Sequence, residues 1–174
     1  MKKCAFTLIE LLVVIAIIML LAGLLFPAFT IAQNVAKKTK AKAEVKQLEV
    51  AWKAVLSDYR SWSIASGGGT GGGSVPPYDA GPSLMLNGPR LFLEGNNTKG
   101  VTYMDFDRGS TNNNGSFIDP WYSPKVPTSD DHAYRVNLGT SMVTPYGVPF
   151  YRSVAAWSKG KDIGDDKDDV KSWE

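Results

Sequence analysis

The chain is poor in the residues that do chemistry. Among 174 residues there is one cysteine, Cys4, and one histidine, His132. A single cysteine excludes an internal disulfide and every zinc site built on several cysteines. Ser–His–Asp or Cys–His catalysis would have to run through His132, and nothing near it in sequence is built for that. There is no dinucleotide fingerprint. The glycine-rich run lacks the preceding strand and the following Lys-Ser/Thr of a phosphate loop. Excess charge of one sign is missing too, with 19 Lys+Arg against 17 Asp+Glu. That balance gives no basic field of the kind a dedicated nucleic-acid binder carries, so no nucleic-acid partner is expected. Together these absences predict a protein that is not an enzyme.

What the chain does have is a sharp asymmetry. Leu11 to Ala36 is 26 residues without a charge, most of them Leu, Ile, Val, Ala or Phe. About 20 apolar residues in a helix cross the ~30 Å hydrocarbon core of a bilayer. The run is too long for a secretory signal core, and an amphipathic pattern follows it in place of a small-residue cleavage site. It predicts a membrane helix or a helix buried on all sides. Glu10 stands at its head, where a carboxylate at membrane depth costs ~2.5–3.5 kcal/mol and calls for a partner or a role. The plainer reading puts Glu10 at the interface, reaching headgroup water.

The helix continues beyond the apolar run. Val45, Leu48, Trp52, Val55, Leu56 and Tyr59 form one apolar stripe of period 3.6, and Lys42, Lys46, Glu49, Lys53 and Asp58 fall on the other face. Pro27 lies inside, so a kink or a locally melted turn is expected there. A lysine cluster (Lys37, Lys38, Lys40, Lys42, Lys46) follows the apolar run. It reads mainly as a solvated helix face that can also meet anionic lipid headgroups.

Residues 66–77 are glycine- and proline-rich and predict a flexible loop. Beyond Tyr78, turn clusters separate short segments. Leu91–Leu93 suits a short helix or turn packed on the long helix. Val101–Phe106, Ala133–Leu138 and Phe150–Trp157 alternate and read as strands of an antiparallel sheet. One face of that sheet can cover the helix stripe. The predicted fold is therefore α+β: a long N-terminal helix, half membrane-embedded and half amphipathic, against a small antiparallel β-sheet head. The last segment, 158–173, holds five aspartates between Asp162 and Asp169 with Gly160 and Gly164 as turns. Hard oxygens on a tight loop suit Ca²⁺, and a solvated acidic tail is the plainer alternative. Trp173 favours an ordered loop.

The N-terminal residues Met1-Lys-Lys-Cys-Ala5 and Phe6-Thr-Leu-Ile-Glu10-Leu-Leu-Val-Val-Ile15 resemble the leader and methylation motif of type IV pilins and type II secretion pseudopilins. The resemblance implies cleavage by prepilin peptidase between Ala5 and Phe6, with Ala5 standing where that family usually has glycine. It implies N-methylation of Phe6, an assembly role for Glu10 and Phe6, and a helix proline at the place of Pro27. The domains then read as leader 1–5, transmembrane and filament-core helix 6–32, and soluble pilin-like head 33–174. In the C-terminal half, Ile118-Asp-Pro-Trp121, Tyr134-Arg-Val136, Ser158-x-Gly-x-Asp162 and Asp168-Asp-Val-x-Ser-Trp173 resemble the major, G-type pseudopilin. That resemblance implies a Ca²⁺ loop with Asp162 and Asp168 as side-chain ligands, the Lys159 carbonyl as a main-chain ligand, and Asp165 or Asp166 as a further one. Tyr122 and Ile163 stand where that family has glycine.

The implied function is a structural subunit of a type II secretion pseudopilus. Its implied partners are copies of itself in a helical filament, prepilin peptidase, the inner-membrane secretion platform with minor pseudopilins, and the lipid bilayer before assembly. The implied location is the bacterial inner membrane, single-pass, with a cytoplasmic N-terminus and a periplasmic head, and then the periplasmic filament. Local lysine counting, two before the apolar run and five soon after it, points the other way and favours a cytoplasmic head. Two other readings stay open. One is a type IV pilin for adhesion, motility or DNA uptake. The other is a membrane-anchored calcium-dependent binding module.

Overall fold

The computed structural model describes residues 7–60, 83–84, 87–122, 130–138, 142–143, 149–150 and 153–174. The predicted flexible loop at 66–77 and the cleavage site at Ala5 and Phe6 lie outside them. The chain divides into two compact units, residues 1–37 and 38–174.

Helix α1 runs from Leu8 to Tyr59 and belongs to both units. In the first unit every large apolar side chain from Leu8 to Val35 is exposed, so this stretch is apolar around its whole circumference. A helix of that kind needs lipid or other protein around it. The α-helical assignment continues unbroken through Pro27. The locally melted turn expected there is not found, and Thr30 donates its hydroxyl to the Pro27 carbonyl at 2.9 Å.

In the second unit α1 becomes one-sided, as its period predicts. Val45, Leu48, Trp52 and Val55 are buried, with Leu56 and Tyr59 packed at the edge of the same cluster. Short helix α2, Asn87–Leu93, lays Phe92 flat against Trp52, with ring centroids 6.0 Å apart and planes 10° off parallel. Below α1 lies a four-stranded antiparallel sheet in the order β1-β2-β5-β6, made of Ser83–Leu84, Arg135–Leu138, Val154–Ser158 and Val170–Lys171. The central pair runs Arg135↔Trp157 to Leu138↔Val154. By the period-two rule, Val136, Val154 and Ala156 share one face, and all three join the cluster under α1. Full burial of each large side chain here contributes about 1.5–3 kcal/mol. A separate two-stranded ladder pairs β3, Met142–Val143, with β4, Pro149–Phe150.

Two strand expectations are corrected. Val101–Phe106 forms no strand. Tyr103 and Met104 both donate their backbone N–H to the single carbonyl of Leu93, at 2.8 and 3.2 Å, so the segment hangs from the end of α2. Its Tyr103, Met104 and Phe106 side chains still pack on the core. Its apolar residues find the core, Val101 excepted, and its backbone partners lie outside any ladder. The run Phe150–Trp157 is two strands in place of one: Phe150 ends β4 in the small ladder, Ser153 bends, and Val154 starts β5 in the main sheet. Ser83–Leu84 and Val170–Lys171 are strands that alternation did not single out, because two residues are too short to show a period.

Candidate functional site

Two regions carry polar groups in a built arrangement. The first is the start of α1. Thr7 immediately precedes the helix, and Glu10 is its third residue. The Thr7 backbone N–H donates to Glu10 Oε2 at 2.8 Å and the Thr7 hydroxyl donates to the same oxygen at 2.7 Å. In return the Glu10 N–H reaches the Thr7 hydroxyl oxygen at 3.3 Å. This is a reciprocal capping box, which satisfies two helix-end donors and favours a carboxylate at the positive end of the helix. The Thr-x-x-Glu spacing that encodes it stands in the sequence as a local signal for this cap. Both bonds fall on Oε2. Glu10 Oε1 takes no hydrogen bond among the described residues.

The second region is the C-terminal segment with the turn at Asp119. Asp119 is buried at 3 % exposure and is the hub. Its Oδ1 accepts from the Trp121 N–H at 3.0 Å, and the Tyr122 N–H reaches the Asp119 carbonyl at 3.2 Å, so Asp119-Pro-Trp121 closes a turn. Its Oδ2 accepts the Ser158 hydroxyl at 2.7 Å, and His132 Nδ1 stands 3.1 Å from Oδ1. Ser158 Oγ in turn accepts the Gly160 N–H at 3.0 Å. The carboxylate thus stands between imidazole and hydroxyl. In a catalytic triad the imidazole stands between the other two.

The acidic loop folds back on itself. Asp168 Oδ2 accepts the backbone N–H of Lys161 and of Asp162, at 2.7 and 2.9 Å. Asp162 Oδ1 accepts from Gly164 at 3.1 Å, and Asp165 Oδ1 from Lys167 at 3.1 Å. The Lys159 ammonium sits 2.7 Å from Asp166 and 3.6 Å from the buried Asp169. Gly160 has φ +67°, and a Cβ there would come within 2.5 Å of the Asp168 carbonyl oxygen. Glycine is required where the two sides of the loop meet. The loop's end is anchored on three sides. Ser172 and Ala156 exchange two bonds, at 2.9 and 3.2 Å; the Trp173 ring stands edge-on to Trp157 at 6.1 Å; and Lys46 of α1 donates to the Ser172 carbonyl. Trp173 thus packs its ring against the sheet through Trp157.

The predicted calcium ligands are therefore gathered in part. Asp162 and Asp168 are joined through the Asp162 N–H, and the Asp165 N–H bonds to the Asp162 carbonyl at 3.0 Å. Among the described residues no group of three or more acidic, His or Cys side chains is drawn together as a metal would require. One feature fits a hard cation: Asp168 Oδ1 is buried and accepts no hydrogen bond.

Two carboxylates of α1 complete the electrostatics. Glu44 accepts the hydroxyl of the buried Tyr134; burial holds its pKa above the ordinary 4.5 despite that bond and the ion pair with Lys40. Burial and the facing Glu44 carboxylate push the Tyr134 hydroxyl far up. Burial also works on Glu49, but the bond and charge of Lys53, 2.6 Å away, with Lys46, bring its pKa below 4.5. The Glu44–Tyr134 link could not be found from sequence, since the two are 90 residues apart, whereas Lys46, Glu49 and Lys53 stand at helical i,i+3 and i,i+4 spacing.

Residues 1–26 match the prokaryotic N-terminal methylation motif, the prepilin-type signal. No curated protein and no solved structure matches the chain. The motif supports a type IV pilin-like protein, processed by prepilin peptidase and assembled in the pilin manner. With the apolar half of α1 it indicates a single-pass, membrane-anchored chain.

Proposed function

We propose that the chain is a structural subunit of a type II secretion pseudopilus, cut between Ala5 and Phe6, methylated on Phe6 and polymerised through α1 to drive protein export. The observation that carries this reading is the methylation motif at the head of a helix whose apolar side chains are exposed all round. Bundling such helices exchanges lipid contacts for protein contacts, so the drive comes from packing, polar pairing and an assembly motor. Loss of Lys2 and Lys3 with the leader leaves 17 basic against 17 acidic side chains, a neutral balance suited to close packing.

Glu10 has two uses on this reading. In the single chain its Oε2 caps α1 through Thr7. Its other oxygen is available to the free amine of Phe6 on a neighbouring copy, setting register as each subunit enters. Removing one member of such a buried pair is expensive even where the pair adds little net stability. Glu10→Leu is expected to leave membrane insertion intact and to abolish filaments in cells. Filaments of normal length and number from that variant would remove the pairing.

Three observations favour a secretion subunit over a pilus for adhesion, motility or DNA uptake. Cys4 precedes the proposed cut, so the processed chain has no cysteine for a C-terminal disulfide loop. Motifs of that resemblance also meet in space: Asp119 of the first bonds to Ser158 of the third, and β6 with Ser172 of the fourth pairs with β5. Finally, the acidic loop is ordered and anchored. We read it as a Ca²⁺ site held by Asp162, Asp168 and the Lys159 carbonyl, with Asp165 the further ligand; Asp168 Oδ1 is the open acceptor that supports it. The melting temperature of the full chain in detergent is expected to be higher in Ca²⁺ than in chelator, and Asp162→Ala to erase the difference. Equal melting in both conditions for the parent would remove the site. The orientation that goes with this function is a cytoplasmic N-terminus and a periplasmic head, with the secretion platform and minor pseudopilins as partners.

A further inference from the structure

We infer that the lysine collar of α1 just beyond its apolar run, Lys37, Lys38, Lys40 and Lys42, is a binding surface for the anionic headgroups of the surrounding lipid. The inference rests on the membrane-anchored helix alone and not on the filament.

Axial position is the first argument. Leu11 to Ala32 is 22 residues ending just before the amides of Gln33 and Asn34. At ~1.5 Å per residue it measures about 33 Å, the thickness of a hydrocarbon core. Lys37 then stands about 7 Å further along the helix and Lys42 about 15 Å. The headgroup layer is ~5–7 Å deep on each side. Lysine stems bend towards it, so Lys37 and Lys38 enter the layer, while Lys40 and Lys42 stay within about one screening length, ~8–10 Å.

Direction around the helix is the second. At about 100° per residue the four side chains leave α1 near 0°, 100°, 300° and 140° for Lys37, Lys38, Lys40 and Lys42. All four are exposed. A docked protein or an amphipathic face would gather them on one side. Together they span an arc of about 200°, wider than a single docking face, and a plane of phosphates around the helix can meet all of it.

Charge is the third. Lys40 has an acidic neighbour, Glu44 at 3.7 Å. Lys37, Lys38 and Lys42 have none among the described residues. Three uncompensated positive charges are thus held against the bilayer surface, and no aromatic is interleaved to stack nucleic-acid bases. Juxtamembrane lysines of this kind concentrate anionic lipid around a helix.

The test reconstitutes the full chain in phosphatidylcholine vesicles with a trace of spin-labelled phosphatidylglycerol or spin-labelled phosphatidylcholine. Electron spin resonance then reads the share of each label held at the protein. The expected result is a preference for phosphatidylglycerol of about threefold or more at low salt, falling towards parity near ~0.5 M salt. Combined Lys37→Gln, Lys38→Gln, Lys40→Gln and Lys42→Gln is expected to bring it to parity at low salt, while the four Lys→Arg changes keep it. Flotation with the vesicles and an unchanged helical circular dichroism signal show that the variants insert and fold; if the glutamine chain fails either, the salt titration of the parent decides. Parity for the parent at low salt, or full preference in the inserted glutamine variant, overturns the inference. Parity for the parent together with carboxyl–amine cross-links from these lysines to a second copy would assign the collar to a protein partner instead. A chain that never forms filaments would still show the preference.

Discussion

Asp119 serves two backbone turns and a strand with one buried carboxylate, through Trp121, Ser158 and His132. Asp119→Ala strips several partners at once inside the core and is expected to lower unfolding stability by about 3 kcal/mol. Urea denaturation of the full chain in detergent, followed by tryptophan fluorescence, measures it; a loss under about 1 kcal/mol would contradict the hub. Gly160→Ala places a methyl group against the Asp168 carbonyl at positive φ and should cost about 1–3 kcal/mol in the same measurement. The two α1 carboxylates give opposite pH signatures. Glu44 binds its proton more tightly in the fold than in the unfolded chain, so its contribution is complete below pH 4.5 and is lost as pH rises through its raised range. Glu49 is the reverse: its contribution is present above pH 4.5 and is lost as pH falls through its lowered range. Glu44→Gln should therefore flatten the stability profile above pH 4.5, and Glu49→Gln should flatten it below. At this scale the sequence was legible only where partners are close along the chain. Thr7-x-x-Glu10 is a three-residue spacing that a capping rule detects, whereas Asp119 and Ser158 lie 39 residues apart and nothing local joins them.

Elements show the same division. The 3.6 period of Val45 to Tyr59 identified α1 and its buried face, because a helix wears its packing pattern on consecutive residues. Period two read Ala133–Leu138 as a strand, and β2 forms there over Arg135–Leu138; the second half of the run Phe150–Trp157 falls in β5, and both strands sit in the middle of the sheet with a partner on each side. The period failed for Val101–Phe106, where Tyr103, Met104 and Phe106 pack on the core without a ladder, and it merged two strands in Phe150–Trp157, where a bend at Ser153 separates β4 from β5. The helix end offers a test. Arg60 follows α1 at φ +57°, and its N–H closes onto the Leu56 carbonyl at 2.7 Å. Glycine takes this conformation without strain, so Arg60→Gly should stabilise the chain by about 0.5–1 kcal/mol. Destabilisation would mean that the side chain makes a contact worth more than the backbone strain.

For the whole molecule, the asymmetry between an exposed apolar helix segment and a polar α+β head is legible in composition alone, and the methylation motif gives it a direction. The central claim is that the N-terminal helix is a processed, shared spine. Mass spectrometry of the protein isolated from its own cells tests this most directly. The account predicts a chain that begins at Phe6 and carries one added methyl group on its terminal amine; a chain that still begins at Met1 would contradict it.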